Sequence, residues 1–168
     1  MNNSRCIIIA EGYYEWRAKD KTPFAIRRKG SDLVYFAGVY EMSSQGEMEF
    51  AVITLESIED MTWLHERMPA MLDENEIDDW INPENMYQDV QKLIRPRRES
   101  ELRYYEVPKL VGNIKNDRPE CCMTIQEFDE RSKNTGIMRF FTPAEKRKAE
   151  GHSPTKRVIP KPTEESKR

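Results

Sequence analysis

Long apolar runs are the first thing this 168-residue chain lacks. No stretch approaches the ~20 consecutive apolar residues that a membrane-crossing helix needs, so a helical membrane protein is not expected. Histidine and cysteine are scarce too, with two of the first and three of the second, at Cys6, Cys121 and Cys122. An odd number of cysteines without paired spacing offers neither a disulfide framework nor a zinc-binding set. Neither a metal nor an organic cofactor is therefore implied, and the neighbours Cys121 and Cys122 are expected to be buried small hydrophobes. The opening Met1-Asn2-Asn3-Ser4 has no signal-peptide character, which with the sparse thiols gives the expectation of a reduced, intracellular setting. An excess of positive charge is also missing. Net charge is −3, with 19 Lys+Arg against 26 Asp+Glu in residues 1–142 and 8 against 4 in residues 143–168. An acidic body does not advertise nucleic-acid binding, so any such site must be a local basic groove. With 38% apolar and 34% charged residues, the chain has enough material for one domain with a modest core, plus a tail.

What is present is concentrated in two short stretches. Cys6-Ile7-Ile8-Ile9-Ala10 is a β-branched apolar run, which predicts a strand buried on both faces. Gly12 breaks the run and permits a tight turn into Tyr13-Tyr14-Glu15-Trp16. A carboxylate walled by rings is partly desolvated and suited to proton transfer. The alternative is an aromatic satellite cluster with Glu15 pointing at water. The second stretch, His65-Glu66-Arg67-Met68-Pro69, sets an imidazole and a guanidinium two residues apart. In an extended segment that spacing puts both on one face, and Pro69 stops a helix from continuing. An acid, a base and a fixed cation are the parts expected of a site that handles an anionic substrate.

Between and beyond these stretches the turn signals are regular. Pro23 to Arg28 predicts a returning strand, Leu33 to Met42 a long one, and Met48 to Leu55 another. Short Gly/Ser turns between them predict an antiparallel meander that curls or closes. Asp73 followed by Glu76 predicts a capped helix with Ile77, Trp80 and Ile81 on one face. Glu84 to Arg95 predicts a second helix with Tyr87, Val90, Leu93 and Ile94 inward, stopped by Pro96. Leu102 to Val107 predicts a last strand. From Gln126 onward Lys, Glu, Pro and Ser dominate, so residues 126–168 are expected to be a disordered tail behind a domain of residues 1–125.

The order of the motifs carries a resemblance. Arg5-Cys6, Gly12-Tyr13-Tyr14-Glu15-Trp16, Thr54, His65-x-Arg67-Met68-Pro69-Ala70, and Val111-Gly112-Asn113 through Pro119-Glu120-Cys121 resemble the SRAP (SOS response-associated peptidase-like) family. The likeness runs from about Arg5 to Cys121. It implies an α/β (α+β) fold, a mixed and mainly antiparallel curled sheet or barrel with a few helices. Eukaryotic members are nuclear DNA-damage proteins that recognise abasic sites in single-stranded DNA and cross-link to them, through peptidase-like and lyase-like chemistry. In the family an N-terminal cysteine is the nucleophile: its amine condenses with the ring-opened aldehyde and its thiol closes a thiazolidine. The resemblance makes Glu15 and His65 the catalytic proton-transfer pair, Trp16 an apolar face beside the lesion, Arg67 a phosphate anchor and Thr54 a further DNA contact. This chain begins Met1-Asn2, and Cys6 matches a non-catalytic family cysteine. The family's front portion is without a counterpart, as expected of either a partial gene model or a shortened isoform.

Near the other end, Asn134-Thr135-Gly136-Ile137-Met138-Arg139-Phe140-Phe141 resembles a sliding-clamp (PCNA) interaction box, with Ile137, Phe140 and Phe141 as its pocket-filling residues. Asn134 stands where the pattern has glutamine. The other reading of this segment is a terminal strand or helix docked on the domain. Two functions follow from the resemblances: an abasic-site cross-linking protein, or a non-catalytic module that binds the clamp and single-stranded DNA.

Overall fold

The computed structural model describes residues 4–135. Nine strands form three separate antiparallel groups. The first sheet has the order β1 (Arg5–Ala10), β4 (Val34–Met42), β5 (Met48–Val52), with β8 (Met71–Leu72) also paired to β4. The second has the order β2 (Tyr13–Trp16), β3 (Pro23–Arg28), β9 (Leu102–Glu106), and the third joins β6 (Thr54–Glu56) to β7 (Arg67–Pro69). Helices α1 (Ile77–Ile81), α2 (Tyr87–Val90) and α3 (Ile125–Thr135) are short, and several single 3-10 turns lie between the strands. The fold is thus a mixed α/β arrangement with antiparallel sheets.

The sheets do not close into a barrel or curl strongly, contrary to expectation. Only β2–β3, β4–β5 and β6–β7 pair as successive strands, and between these pairs the chain steps from one sheet to another instead of continuing as a meander. At Gly12 the chain steps from β1 to β2, and a Cβ there would sit 2.4 Å from the Ile26 carbonyl oxygen, so only glycine fits. At Gly30, with φ of 74°, it steps from β3 to β4. The two larger sheets then share one core: Phe24 and Ile26 from β3 and Leu102 from β9 pack with Val34 and Phe36 from β4 and with Met61, Leu64, Met68 and Met71. Facing layers bury these side chains without either sheet having to bend around.

Strand β1 is the clearest departure from the apolar pattern. It lies at an edge beside β4, so its sequence is not buried on both faces: Ile9 is 61% exposed, and the buried residue is Arg5. Arg5 reaches across to the end of α1, donating from Nε to Trp80 O at 2.6 Å and from Nη2 to Asn82 O and Asn85 O at 2.6 and 2.9 Å. In return Trp80 Nε1 donates to Cys6 O at 2.9 Å. A cation against the exposed carbonyls of a helix end is favourable, and here it pins α1 to the strand.

The expected cap is present, but on the 3-10 turn Glu74–Glu76 that leads into α1, with Glu76 Oε2 accepting from the Asp73 amide at 2.8 Å. Trp80 is buried from α1, whereas Ile81 is exposed; the helix ends after five residues and buries only a narrow stripe. Val90 and Leu93 face inward as the helical period requires, but the predicted second helix is broken into α2 and a 3-10 turn, and Tyr87 is exposed. Met48 to Leu55 is likewise two strands in two different sheets. The stretch expected to be a tail from Gln126 begins instead as helix α3. Thr124 and Glu127 cap it reciprocally, with the Glu127 amide donating to Thr124 Oγ1 at 3.2 Å and the Thr124 amide to Glu127 Oε2 at 2.8 Å. Ile137, Phe140 and Phe141 lie outside the described residues.

Candidate functional site

The site is assembled by the end of β2 and the turn before β7. Strand β2 pairs with β3 in the register Tyr13↔Ile26, Tyr14↔Ala25, Glu15↔Phe24 and Trp16↔Pro23. Directly opposed antiparallel residues share a face, so Glu15 lies on the face of Phe24 and Tyr13 on that of Ile26. Phe24 packs edge-on to Trp63, with ring centroids 5.4 Å apart, and Trp63 in turn lies 5.1 Å from Tyr104. Just past β2 the Ala18 amide donates to Leu64 O at 2.9 Å. That bond fastens the strand bearing Glu15 to the residue preceding His65. Glu15 is half-buried, and its Oε1 accepts from the Trp16 amide at 3.0 Å.

His65 is held by its neighbour in sequence. The Arg67 amide donates to His65 Nδ1 at 3.2 Å. The Arg67 main-chain oxygen lies equally 3.2 Å from Nδ1, so Nδ1 accepts from the amide in one tautomer and donates to the carbonyl in the other. Nε2 is left without a partner among the described residues. Strand β7 starts only at Arg67, so period-two alternation does not place His65 and Arg67 on one face; a turn closed by the Nδ1 contact does the positioning. Pro69 ends β7, and no helix follows directly.

Arg67 and Thr54 are brought into direct contact. Across the pair β6–β7 the register is Thr54↔Pro69, Leu55↔Met68 and Glu56↔Arg67. The exposed guanidinium nevertheless turns diagonally from Glu56 to Thr54. Nε donates to Thr54 Oγ1 at 3.1 Å, and Nη2 donates to Thr54 Oγ1 and to Thr54 O, both at 2.7 Å. Among the described residues Arg67 has no carboxylate within ion-pairing distance and Nη1 has no partner. A full positive charge therefore faces solvent beside His65 on an acidic chain.

Two placements differ from the sequence expectation. Alternation along β2 puts Trp16 on the opposite face from Glu15, with Tyr14. No hydrogen bond joins Glu15 to His65 among the described residues; the two segments are linked through the main chain, by the Ala18 amide and Leu64 O. Sequence reasoning also missed Trp63, which is 38% exposed on the Glu15 side. Its signal was an aromatic two positions before His65, in a turn with no other surface-facing ring.

The thiols sort differently from one another. Cys6 is half-buried within β1, and burial raises its pKa, which leaves little thiolate for nucleophilic work. Cys121 is buried as expected, but Cys122 is exposed, because the 3-10 turn Pro119–Cys122 points successive side chains apart. On the reverse face of β2–β3–β9, Tyr14 Oη lies 3.0 Å from Cys122 Sγ, and Tyr105 Oη donates to Cys122 O at 3.0 Å. Burial, then the contact with Cys122, pushes the Tyr14 phenol well above its ordinary value, so it stays protonated. Beside it a cavity of about 130 Å³ is lined by Glu11, Tyr14, Arg27, Tyr105 and Cys122, with Arg27 paired to Glu11 at 3.3 Å. Among the described residues no group of three His, Cys, Asp or Glu side chains could hold a metal ion.

Comparison with known proteins finds relatives of this chain. The family described as SOS response associated peptidase (SRAP) matches residues 1–114. The chain is 39% identical over 127 residues to abasic site processing protein YoqW of Bacillus subtilis, covering 70% of this chain and 56% of that one. It is 30% identical over 153 residues to abasic site processing protein HMCES of Gallus gallus, covering 75% and 45%. A solved structure of a protein from Bacteroides thetaiotaomicron superposes with a TM-score of 0.63 at 25% identity, covering 73% of this chain and 57% of that one. The chain spans about half the length of the relatives it matches. Their range from bacteria to vertebrates does not single out the eukaryotic branch.

Proposed function

Because the chain belongs to the SRAP family, we propose that it takes part in the response to abasic sites in DNA, recognising them in single strands and supplying the proton-transfer half of a covalent cross-linking reaction. The observation that carries this reading is the Ala18 N–H···O Leu64 bond, which ties the segment just after Glu15 to the residue just before His65. Glu15 takes protons from the attacking amine, and His65, whose Nε2 is open, exchanges a proton with the departing sugar oxygen. Arg67 holds a backbone phosphate. Trp63 offers a ring beside Glu15 for a base next to the lesion. Cys6, with its nitrogen inside a peptide bond and its thiol kept protonated, is not the nucleophile. The aminothiol that the family uses comes from a segment other than the described residues. Clamp binding through Ile137, Phe140 and Phe141, and a nuclear location like that expected of the eukaryotic relatives, belong to the same proposal and rest on sequence alone.

The test joins the chain behind an N-terminal cysteine-bearing segment of a relative and follows cross-linking to an abasic single-stranded oligonucleotide on denaturing gels. Glu15→Ala and His65→Ala should each slow the reaction by ~10²–10⁴-fold, the usual worth of a general acid or base. Rates within twofold of the parent would show that both residues are structural.

A further inference from the structure

The bonding around Arg67 points to a role for Thr54 different from that of a DNA contact. We infer that Thr54 is a positioning residue: it clamps the Arg67 guanidinium so that one edge is fixed to the protein and the other is presented to a phosphate. The inference rests on the functional reading above for the identity of the anion, and on three hydrogen bonds for the clamp.

Both acceptors of Thr54 are engaged. Oγ1 receives Nε and Nη2, and the main-chain oxygen receives Nη2 again, all between 2.7 and 3.1 Å. An arginine has five donors in a rigid fork, and this set holds the Nε–Nη2 edge. Nη1 and the outer proton directions face away from Thr54. An exposed arginine normally loses considerable rotamer freedom when it grips a ligand, and a side chain already fixed in its working orientation loses less. The nature of the acceptors matters equally. A hydroxyl and a carbonyl orient the guanidinium without cancelling its charge, whereas a carboxylate would do both. Glu56 stands directly opposite Arg67 in the strand register and is not used. Placing Thr54 at this diagonal position also suits the strand, since a β-branched residue is stiff at χ1 and holds its hydroxyl in one direction. With two donors on Oγ1, the Thr54 hydroxyl accepts nothing further and keeps only its own O–H to donate.

The clamp can be tested in the full chain with a fluorescent single-stranded oligonucleotide, followed by anisotropy over a range of salt concentrations. Arg67→Ala should weaken binding by about tenfold and flatten the salt dependence by about 0.7 in log–log slope, one phosphate contact's worth. Thr54→Val keeps the shape and the β-branch but loses Oγ1, and should reproduce most of that loss. Thr54→Ser keeps the hydroxyl and should restore the parent's affinity. In the Arg67→Ala background, Thr54→Val should have no further effect. Additive losses in the double variant, or unchanged binding by Thr54→Val alone, overturn the inference. A second readout needs no DNA: the Arg67 Nε–H signal in NMR should exchange slowly in the parent and in Thr54→Ser, and fast in Thr54→Val. If the parent fails to bind the oligonucleotide, the functional reading falls, and equal Nε–H exchange in the parent and Thr54→Val would overturn the clamp as well.

Discussion

Arginine is used in two opposite ways in this molecule. Around Asp73 three guanidinium groups are consumed by carboxylates. Arg28 pairs with Asp73, Arg95 bonds Asp73 at 2.5 Å and Glu76 at 2.7 Å, and Arg97 lies 3.2 Å from Asp73 and 3.0 Å from Glu101. Arg97 is buried and also donates to Met71 O at 2.7 Å, which ties the network to the core strand β8. Arg67 is exposed, and among the described residues its guanidinium is held only by the neutral oxygens of Thr54. The first arrangement trades charge for connection: it links the end of β3, the capped turn before α1 and the segment leading into β9. The second keeps the charge and gives up burial. That contrast is how a chain with a net charge of −3 can still offer a positive site.

The comparison breaks most readily at Asp73. Removing it by Asp73→Ala leaves Arg97 buried with one carboxylate fewer, and uncompensated buried charge costs several kcal/mol. Thermal unfolding followed by circular dichroism should show a loss of about 3 kcal/mol, a fall in Tm of roughly 10 °C. A change under 0.5 kcal/mol would mean that the network is ornamental. Acid should act on the same group more gently. Burial pushes the Asp73 carboxyl up, but hydrogen bonding from Arg28 and the charge of Arg97 outweigh it and hold the group below its ordinary 3.8. Glu101 behaves alike, with burial opposed by bonds from the Arg98 amide and Arg97, and lies below its ordinary 4.5. A carboxyl depressed in the folded state stabilises above its unfolded value, and that contribution disappears as pH falls through the folded value. Denaturant titrations should thus show stability declining below about pH 4 in the parent, and declining less steeply in Asp73→Asn. The smallest effect belongs to Arg67. In the same melts Arg67→Ala should stay within ~0.5 kcal/mol of the parent, as surface changes usually do. A larger loss would turn Arg67 into another structural arginine and erase the contrast.

Local chemistry was legible in the sequence, and partner choice was not. The Asp73–Glu76 cap and the turn at Gly12 follow from residue types a few positions apart, and each is present, whereas Tyr13 to Trp16 proved to be a strand of its own in another sheet. The run Cys6 to Ala10 misled because an apolar stretch reports hydrophobicity, not the number of neighbours a strand will have; among the described residues β1 has one. Helix α3 was missed although Thr124 and Glu127 spell its cap, because the composition beyond it was weighed as a whole. At the site, residue type singled out His65 and Arg67, while the period-two spacing did not apply because β7 starts only at Arg67. Trp63 and the clamp by Thr54 needed tertiary geometry: a diagonal across two three-residue strands leaves no trace in a pattern of period two.

The pairing of β3 with β9 has a consequence for how the protein is made. Phe24 to Arg28 receive their outer partners only when Leu102 to Glu106 arrive, about 80 residues later. On a ribosome adding ~5–20 residues per second, β3 waits roughly 4–15 s with that edge unclaimed. Through that interval Phe24 and Ile26 are an open strand edge on a nascent chain, the kind of surface that chaperones attend and that neighbouring chains on a polysome can capture. Codon choice between residues 28 and 102 should therefore alter the yield of soluble protein without altering a single contact in its folded form.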